Sequence, residues 1–119
     1  MKVAKVNPRR NSVEIIELNG GEDNCGTLKD WYREVECDLV THFYLYHLNM
    51  SQDLMFIMDD EAAFKKPEDQ AFWQLPECTP IIGNALVFAI DPNTGDMVEF
   101  TDSAEMLKKK IRFLTHKCS

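Results

Sequence analysis

The sequence predicts an α+β fold, with an antiparallel-dominated sheet of about six strands ordered β-β-α-β-β-loop-β-β-α and two helices packed on one face of it. Three observations carry this. Ile81 to Ile90 is a long apolar run, Asp91-Pro92-Asn93-Thr94-Gly95-Asp96 supplies turn residues, and Met97-Val98-Glu99-Phe100 returns, which is the pattern of a β-hairpin. A second pair, Leu39 to Leu48 and Leu54 to Met58, flanks a turn at Asn49 to Asp53. Two segments, one after Thr27 and one after Thr101, place apolar residues at helical spacing.

Val3 to Val6 reads as the first strand, ended by Asn7-Pro8-Arg9-Arg10-Asn11, and Ser12 to Leu18 as the second. That short link suits a hairpin. The adjacent Ile15-Ile16 breaks strict alternation, so either both faces of this strand are covered or a bulge re-aims it. Asn19 to Asn24 is a turn cluster. Thr27 then caps a helix, with Asp30 in the capping-box position and Leu28, Trp31, Tyr32 and Val35 on one apolar face. In the long strand, Val40, His42, Tyr44, Tyr46 and Leu48 share one face, and Leu39, Thr41, Phe43 and Leu45 share the other. Asp59 to Pro80 is a polar, proline-punctuated excursion with little strand character, in which helical turns are expected at Glu61 to Lys66 and Asp69 to Gln74. A connection this long inside a compact domain is often functional or mobile. The chain closes with a helix capped at Thr101 or Asp102, where Asp102 and Glu105 form a capping-box pair. Its apolar stripe is Ala104, Leu107, Ile111 and Leu114, and Lys108, Lys109, Lys110 and Arg112 sit where the helix dipole favours cations.

The 119 residues suffice for a single domain, 1–119, with one core. Hydrophobic content of 45% and charged content of 28% are those of an ordinary globular protein. No stretch approaches the roughly 18 to 20 apolar residues of a membrane span, and Met1-Lys2-Val3-Ala4-Lys5-Val6 leads into no signal-peptide core. A cytoplasmic protein without a membrane partner is expected. The net charge of −7, from 20 acidic and 13 basic residues, argues against nucleic acid as a partner, because that binding needs a basic surface to displace counterions. Lys2, Lys5, Arg9 and Arg10 at one end and Lys108, Lys109, Lys110, Arg112 and Lys117 at the other would make one basic patch if the termini met; otherwise they are solvated faces. Cys25, Cys37, Cys78 and Cys118 show no Cys-x-x-Cys spacing and read as buried or incidental thiols.

The opening strand pair (Lys2 to Pro8, then Val13 to Leu18), the amphipathic helix from Thr27-Leu28 and the strand running into Met58-Asp59-Asp60-Glu61 form a recognisable layout. With the late Ile81-Ile82-Gly83-Asn84-Ala85-Leu86-Val87 strand, an acidic hairpin and a closing helix, the chain resembles a family of small domains found mainly in phages and other bacterial mobile elements, domain of unknown function 3846. The family's Leu-Pro-x-Asn signature corresponds here to Leu75-Pro76-Glu77-Cys78, where cysteine stands in place of asparagine. The resemblance implies a mobile-element origin more than an activity.

No catalytic constellation emerges. His42 and His47 point to opposite faces of a strand and do not share a metal. No Gly-x-Ser-x-Gly elbow occurs, and Gly20-Gly21 lacks the Lys-Ser/Thr of a phosphate loop. Gly83 reads as a bulge or a close backbone approach. Glu22-Asp23, Asp59-Asp60-Glu61 and Glu68-Asp69 lack calcium-loop spacing and read as acidic surface. No enzyme, metal or cofactor is expected. The aromatic set is more informative. The face bearing His42, Tyr44 and Tyr46 is too apolar for plain solvent and too polar for a deep core, and Phe64, Phe72 and Trp73 lie in the long loop that can fold over it. It is either a second core layer or a binding surface. On the latter reading the binding residues are His42, Tyr44, Tyr46, Phe72 and Trp73, with Asp59, Asp60 and Glu61 as the dense acidic cluster.

These features point to a non-enzymatic binding module, an inhibitor or adaptor of a host or defence protein. Its acidity suits a mimic that occupies a basic, nucleic-acid-binding cleft. The alternative is a sponge for a small nucleotide signal, using the aromatic strand face and the 59–80 loop, which requires Arg or Lys reaching into a pocket. Self-association stays open.

Overall fold

The computed structural model describes residues 1–21, 24–45, 52–62, 71–76 and 78–114. Their elements are β1 (Lys2–Asn7), β2 (Ser12–Glu17), α1 (Leu28–Val35), β3 (Val40–Leu45), β4 (Asp53–Asp59), β5 (Phe72–Gln74), β6 (Ile81–Ile82), β7 (Ala85–Ile90), β8 (Met97–Val98), α2 (Ala104–Lys110) and β9 (Arg112–Leu114). The main sheet has six antiparallel strands in the order β2-β1-β7-β4-β3, with β8 also beside β7. A smaller antiparallel sheet has the order β6-β5-β9. The fold is α+β, as the hairpin patterns predict.

Strand β7 explains the layering. All six of its residues are buried, so a layer must cover each face. Ala85 and Val87 join Ala4, Val6, Leu54, Phe56, Trp73, Leu107 and Ile111 in one core. Leu86, Phe88 and Ile90 join Val3, Val35, Met55 and Ile57 in the other. Helix α1 closes the second core through Val35 and Trp31, whose ring centroid lies 5.4 Å from Phe88. Helix α2, through Leu107, and the small sheet, through Trp73, close the first. The helices therefore lie on opposite faces, not on one face as expected. A sheet that is apolar on both sides needs a layer on each, which α1 supplies on one and α2 with the small sheet on the other.

At Ile15-Ile16 the coverage is one-sided, with Ile16 half-buried and Ile15 40% exposed. The β1–β2 register runs unbroken from Lys2↔Glu17 to Asn7↔Ser12, without a bulge. Val13 packs on one core and Ile16 on the other. The α1 capping box forms as expected: Thr27 Oγ1 accepts the Asp30 N–H, and the Thr27 N–H donates to Asp30 Oδ2. On the α1 side Lys5 Nζ meets Glu34 Oε1 at 2.9 Å, tying strand to helix. Lys5 is thus turned away from the face that α2 covers, and does not join a common basic patch with the lysines of that helix.

Three expectations need correction. The strand expected over 81–90 breaks at Gly83, whose φ of 84° is a conformation open to glycine and strained for other residues. The break sends β6 into the small sheet and β7 into the main one; β1 pairs with residues 85–87 of β7, which leaves the β7–β8 hairpin only Ala89↔Val98 and Ile90↔Met97. The expected helical turn over 69–74 is, in its described part, strand β5, which finds partners in β6 and β9. The closing helix is capped by Ser103, whose Oγ accepts the Met106 N–H at 3.1 Å, and it ends at Lys110. Arg112–Leu114 pair with Phe72–Gln74 instead of adding a last helical turn.

The expectations that concern Tyr46, His47, Leu48, Phe64, His116 and Cys118, the acidic pairs Glu22-Asp23 and Glu68-Asp69, and residues 49–51, 63–70, 77 and 115–119 fall outside the described residues. Among the described residues no helix is long and apolar enough to cross a membrane.

Candidate functional site

Strand β3 ends the strand order of the main sheet and pairs with β4 in an unbroken register from Val40↔Asp59 to Leu45↔Leu54. Its two faces differ. On one, Phe43 stacks on Phe56 with centroids 4.9 Å apart and planes 5° from parallel. On the other, Val40 packs against the α1 core, while His42 and Tyr44 are exposed and meet edge to face at 5.4 Å.

Beside the Phe43 face opens a groove of about 580 Å³. One wall is Thr41 and Phe43 of β3 with Met58 and Asp59 of β4; Asp60 and Ala62 extend it, and Cys78 to Ile82 form the other. Its surface is predominantly apolar, with carboxylates at one end. There, Asp59 Oδ1 accepts the Glu61 N–H at 2.9 Å, and the Asp60 N–H donates to the Leu39 carbonyl at 2.9 Å. The first bond shapes the acidic turn, and the second ties it to the start of β3.

The sequence-derived residues divide accordingly. Asp59 and Asp60 line the groove, and Glu61 is exposed next to them. His42 and Tyr44 lie on the opposite face of the same strand. Phe72 and Trp73 do not fold over that aromatic face. Trp73 is fully buried in the core that Phe43 packs against, 5.9 Å from the Phe56 ring, and its Nε1 donates to the Gly83 carbonyl at 3.0 Å. Trp73 is a core residue, and the pairing of β5 with β6 put it there. Half-buried Phe72 stands between Ile82 and Leu114 in the small sheet. Sequence reasoning missed Thr41, Phe43, Met58, Cys78, Ile81 and Ile82. A usable signal existed in the β3–β4 hairpin, whose register places Thr41 opposite Met58 on the Phe43 face.

Two other cavities offer different chemistry. One of about 620 Å³ lies at the start of α1, among Gly21, Cys25, Gly26, Thr27, Leu28, Trp31 and Met97. Its helix N-terminus is already served by Thr27 and Asp30, and hydrogen bonds from the Thr27 backbone and side chain hold the Asp30 carboxyl below its ordinary range. The other, about 280 Å³, is lined by Gln74, Leu75, Pro76, Lys110 and Arg112. Near α1, burial pushes the Glu34 carboxyl up, but hydrogen bonds and charge from Lys5 and Arg33 outweigh it and leave the group below its ordinary value. Among the described residues no group of three or more His, Cys, Asp or Glu is arranged to hold a metal ion. No protein-family model matches the chain, and no curated protein or solved structure matches it significantly.

Proposed function

We propose that the protein is a non-enzymatic binding module of a phage or other mobile element, acting through protein contacts as an inhibitor or adaptor of a host or defence protein. The groove beside β3 carries this reading. Its apolar walls suit an aliphatic or aromatic anchor, worth about 25 cal/mol per Å² of apolar surface removed from water. Asp59, Asp60 and Glu61 at its end suit a basic residue beside that anchor. The net charge of −7 adds a long-range field that draws in a basic partner. The mobile-element origin rests on the family resemblance. A nucleotide ligand is the weaker reading here, because its phosphates would meet carboxylates, and among the described residues no Lys or Arg lines the groove.

The test is association of the full chain with a partner captured from its native host, at low and physiological salt, for the wild type and for Asp59→Lys/Asp60→Lys/Glu61→Lys. The on-rate should fall steeply with salt and fall further with the charge reversal. Binding that ignores both changes would contradict the proposal.

A further inference from the structure

We propose that the cavity where α2 hands over to β9, beside the end of β5, is a binding site for a small phosphate monoester, held by Lys110, Arg112 and Gln74. It is separate from the groove beside β3, and its test involves no protein partner.

Charge is unevenly placed along the chain. Five of its 13 basic residues and none of its 20 acidic ones follow Glu105. Helix α2 ends in Lys108, Lys109 and Lys110, and the pairing of β9 with β5 sets Arg112 opposite Gln74. Lys110, Arg112 and Gln74, with Leu75 and Pro76, line a cavity of about 280 Å³. Around α1 the cations meet carboxylates: Lys5 is bonded to Glu34, and Arg33 to Asp30 and Glu34. At this cavity they do not. Among the described residues neither Lys110 nor Arg112 has an ion pair or a side-chain hydrogen bond. Lys110 is half-buried, so its ammonium has given up part of its hydration without a counter-charge. An anion in the cavity would offset that loss.

The donors suit phosphate. Arginine presents a planar fork of N–H groups and lysine a point charge, and both serve an anion rich in oxygen. The half-buried Gln74 amide is already oriented, because its Nε2 donates to the Cys78 carbonyl at 2.7 Å. Its second N–H is left as a further donor. Leu75 and Pro76 offer apolar surface to the carbon side of an ester. The volume lies at the lower end of small-molecule sites, with room for one phosphate and a short substituent.

The surrounding charge disfavours anything larger. A polyanion would extend over an acidic body that repels it, whereas a monoester stays within a Debye length, about 8–10 Å, of the two cations. The negative end of the α2 dipole opposes any anion. It amounts to about half a charge at most, against two full positive charges.

Titration of the isotopically labelled full chain with methyl phosphate, at a constant ionic strength of about 0.15 M, tests this. Amide shifts at Gln74, Leu75, Lys110 and Arg112 should change and saturate together, with half-saturation on the order of 1 mM. Acetate, with a single charge and two oxygens, should bind about tenfold more weakly. Lys110→Gln should weaken methyl phosphate about tenfold, and Arg112→Gln, at a more exposed position, about fivefold. Lys108→Gln, exposed and outside the cavity, should change it less than about twofold. Glutamine suits a helix about as well as lysine, so the two lysine variants keep α2 intact. The proposal is overturned if the shifts grow linearly without saturating, if Lys108→Gln weakens binding as much as Lys110→Gln, or if acetate binds as well as methyl phosphate. It is also overturned if poly-glutamate binds these residues more tightly than methyl phosphate does, which would make the face a docking surface for an acidic protein.

Discussion

Trp73→Phe tests how the groove's far wall is fastened. Trp73 is fully buried, and its indole N–H serves the Gly83 carbonyl at 3.0 Å, at the break between β6 and β7. Phenylalanine keeps an aromatic ring beside Phe56 but removes that donor. The Gly83 carbonyl is only partly buried, so orphaning it costs about 1 kcal/mol, the low end for an unsatisfied group. The smaller ring also leaves a void, which adds about 1 kcal/mol where the site cannot collapse. The expected loss is therefore about 2 kcal/mol, below the cost of full truncation to alanine. Urea unfolding followed by far-ultraviolet circular dichroism gives the global loss. Hydrogen exchange gives its location, because the Gly83 N–H, bonded to the Ala71 carbonyl at 2.8 Å, should exchange faster than in the wild type. A loss below about 0.5 kcal/mol with unchanged exchange at Gly83 would refute both the bond and its role in seating β6.

Phe88→Ala should cost about 3–5 kcal/mol, since Phe88 is fully buried against Trp31; a loss under about 1 kcal/mol would place it at the surface. Glu34 ties α1 to β1, and its carboxyl is held below the ordinary value, so its contribution is present above the unfolded-state pKa and is lost as pH falls through the folded one. Because the pair is only partly buried, Glu34→Gln should cost about 1–2 kcal/mol near pH 7, with the difference from wild type closing toward pH 3. Stability curves that run parallel from pH 7 to pH 3 would contradict this.

The main sheet was legible because its signals are local. The turn after Ile90 is held as its residues imply: Asp91 Oδ1 accepts the Asn93 N–H, and the Gly95 N–H donates to the Asp91 carbonyl. Thr27 and Asp30 likewise meet within one helical turn. The small sheet was not legible, because β5 and β9 are three residues each and depend on partners about forty positions apart. Ile111 and Leu114 satisfy helical spacing as well as they serve a cap and a strand, and only the approach of Phe72–Gln74 decides between them. The site shows the same division. Asp59-Asp60-Glu61 is visible as a cluster in the chain, whereas the apolar groove joins β3 and β4 to residues 78–82 across the intervening loop. Phe72 and Trp73 were expected over the His42 and Tyr44 face because alternation along β3 does not reveal which face β5 will cover.

The most direct test of the central claim is a map of amide chemical-shift changes on the isotopically labelled full chain, titrated with the captured partner. Changes should concentrate at Thr41, Phe43, Met58, Asp60, Ile81 and Ile82, and shrink together when Asp59, Asp60 and Glu61 are reversed to lysine. Changes centred on Leu28 and Trp31 of α1, or on Lys110 and Arg112, with the groove residues silent, would contradict the account.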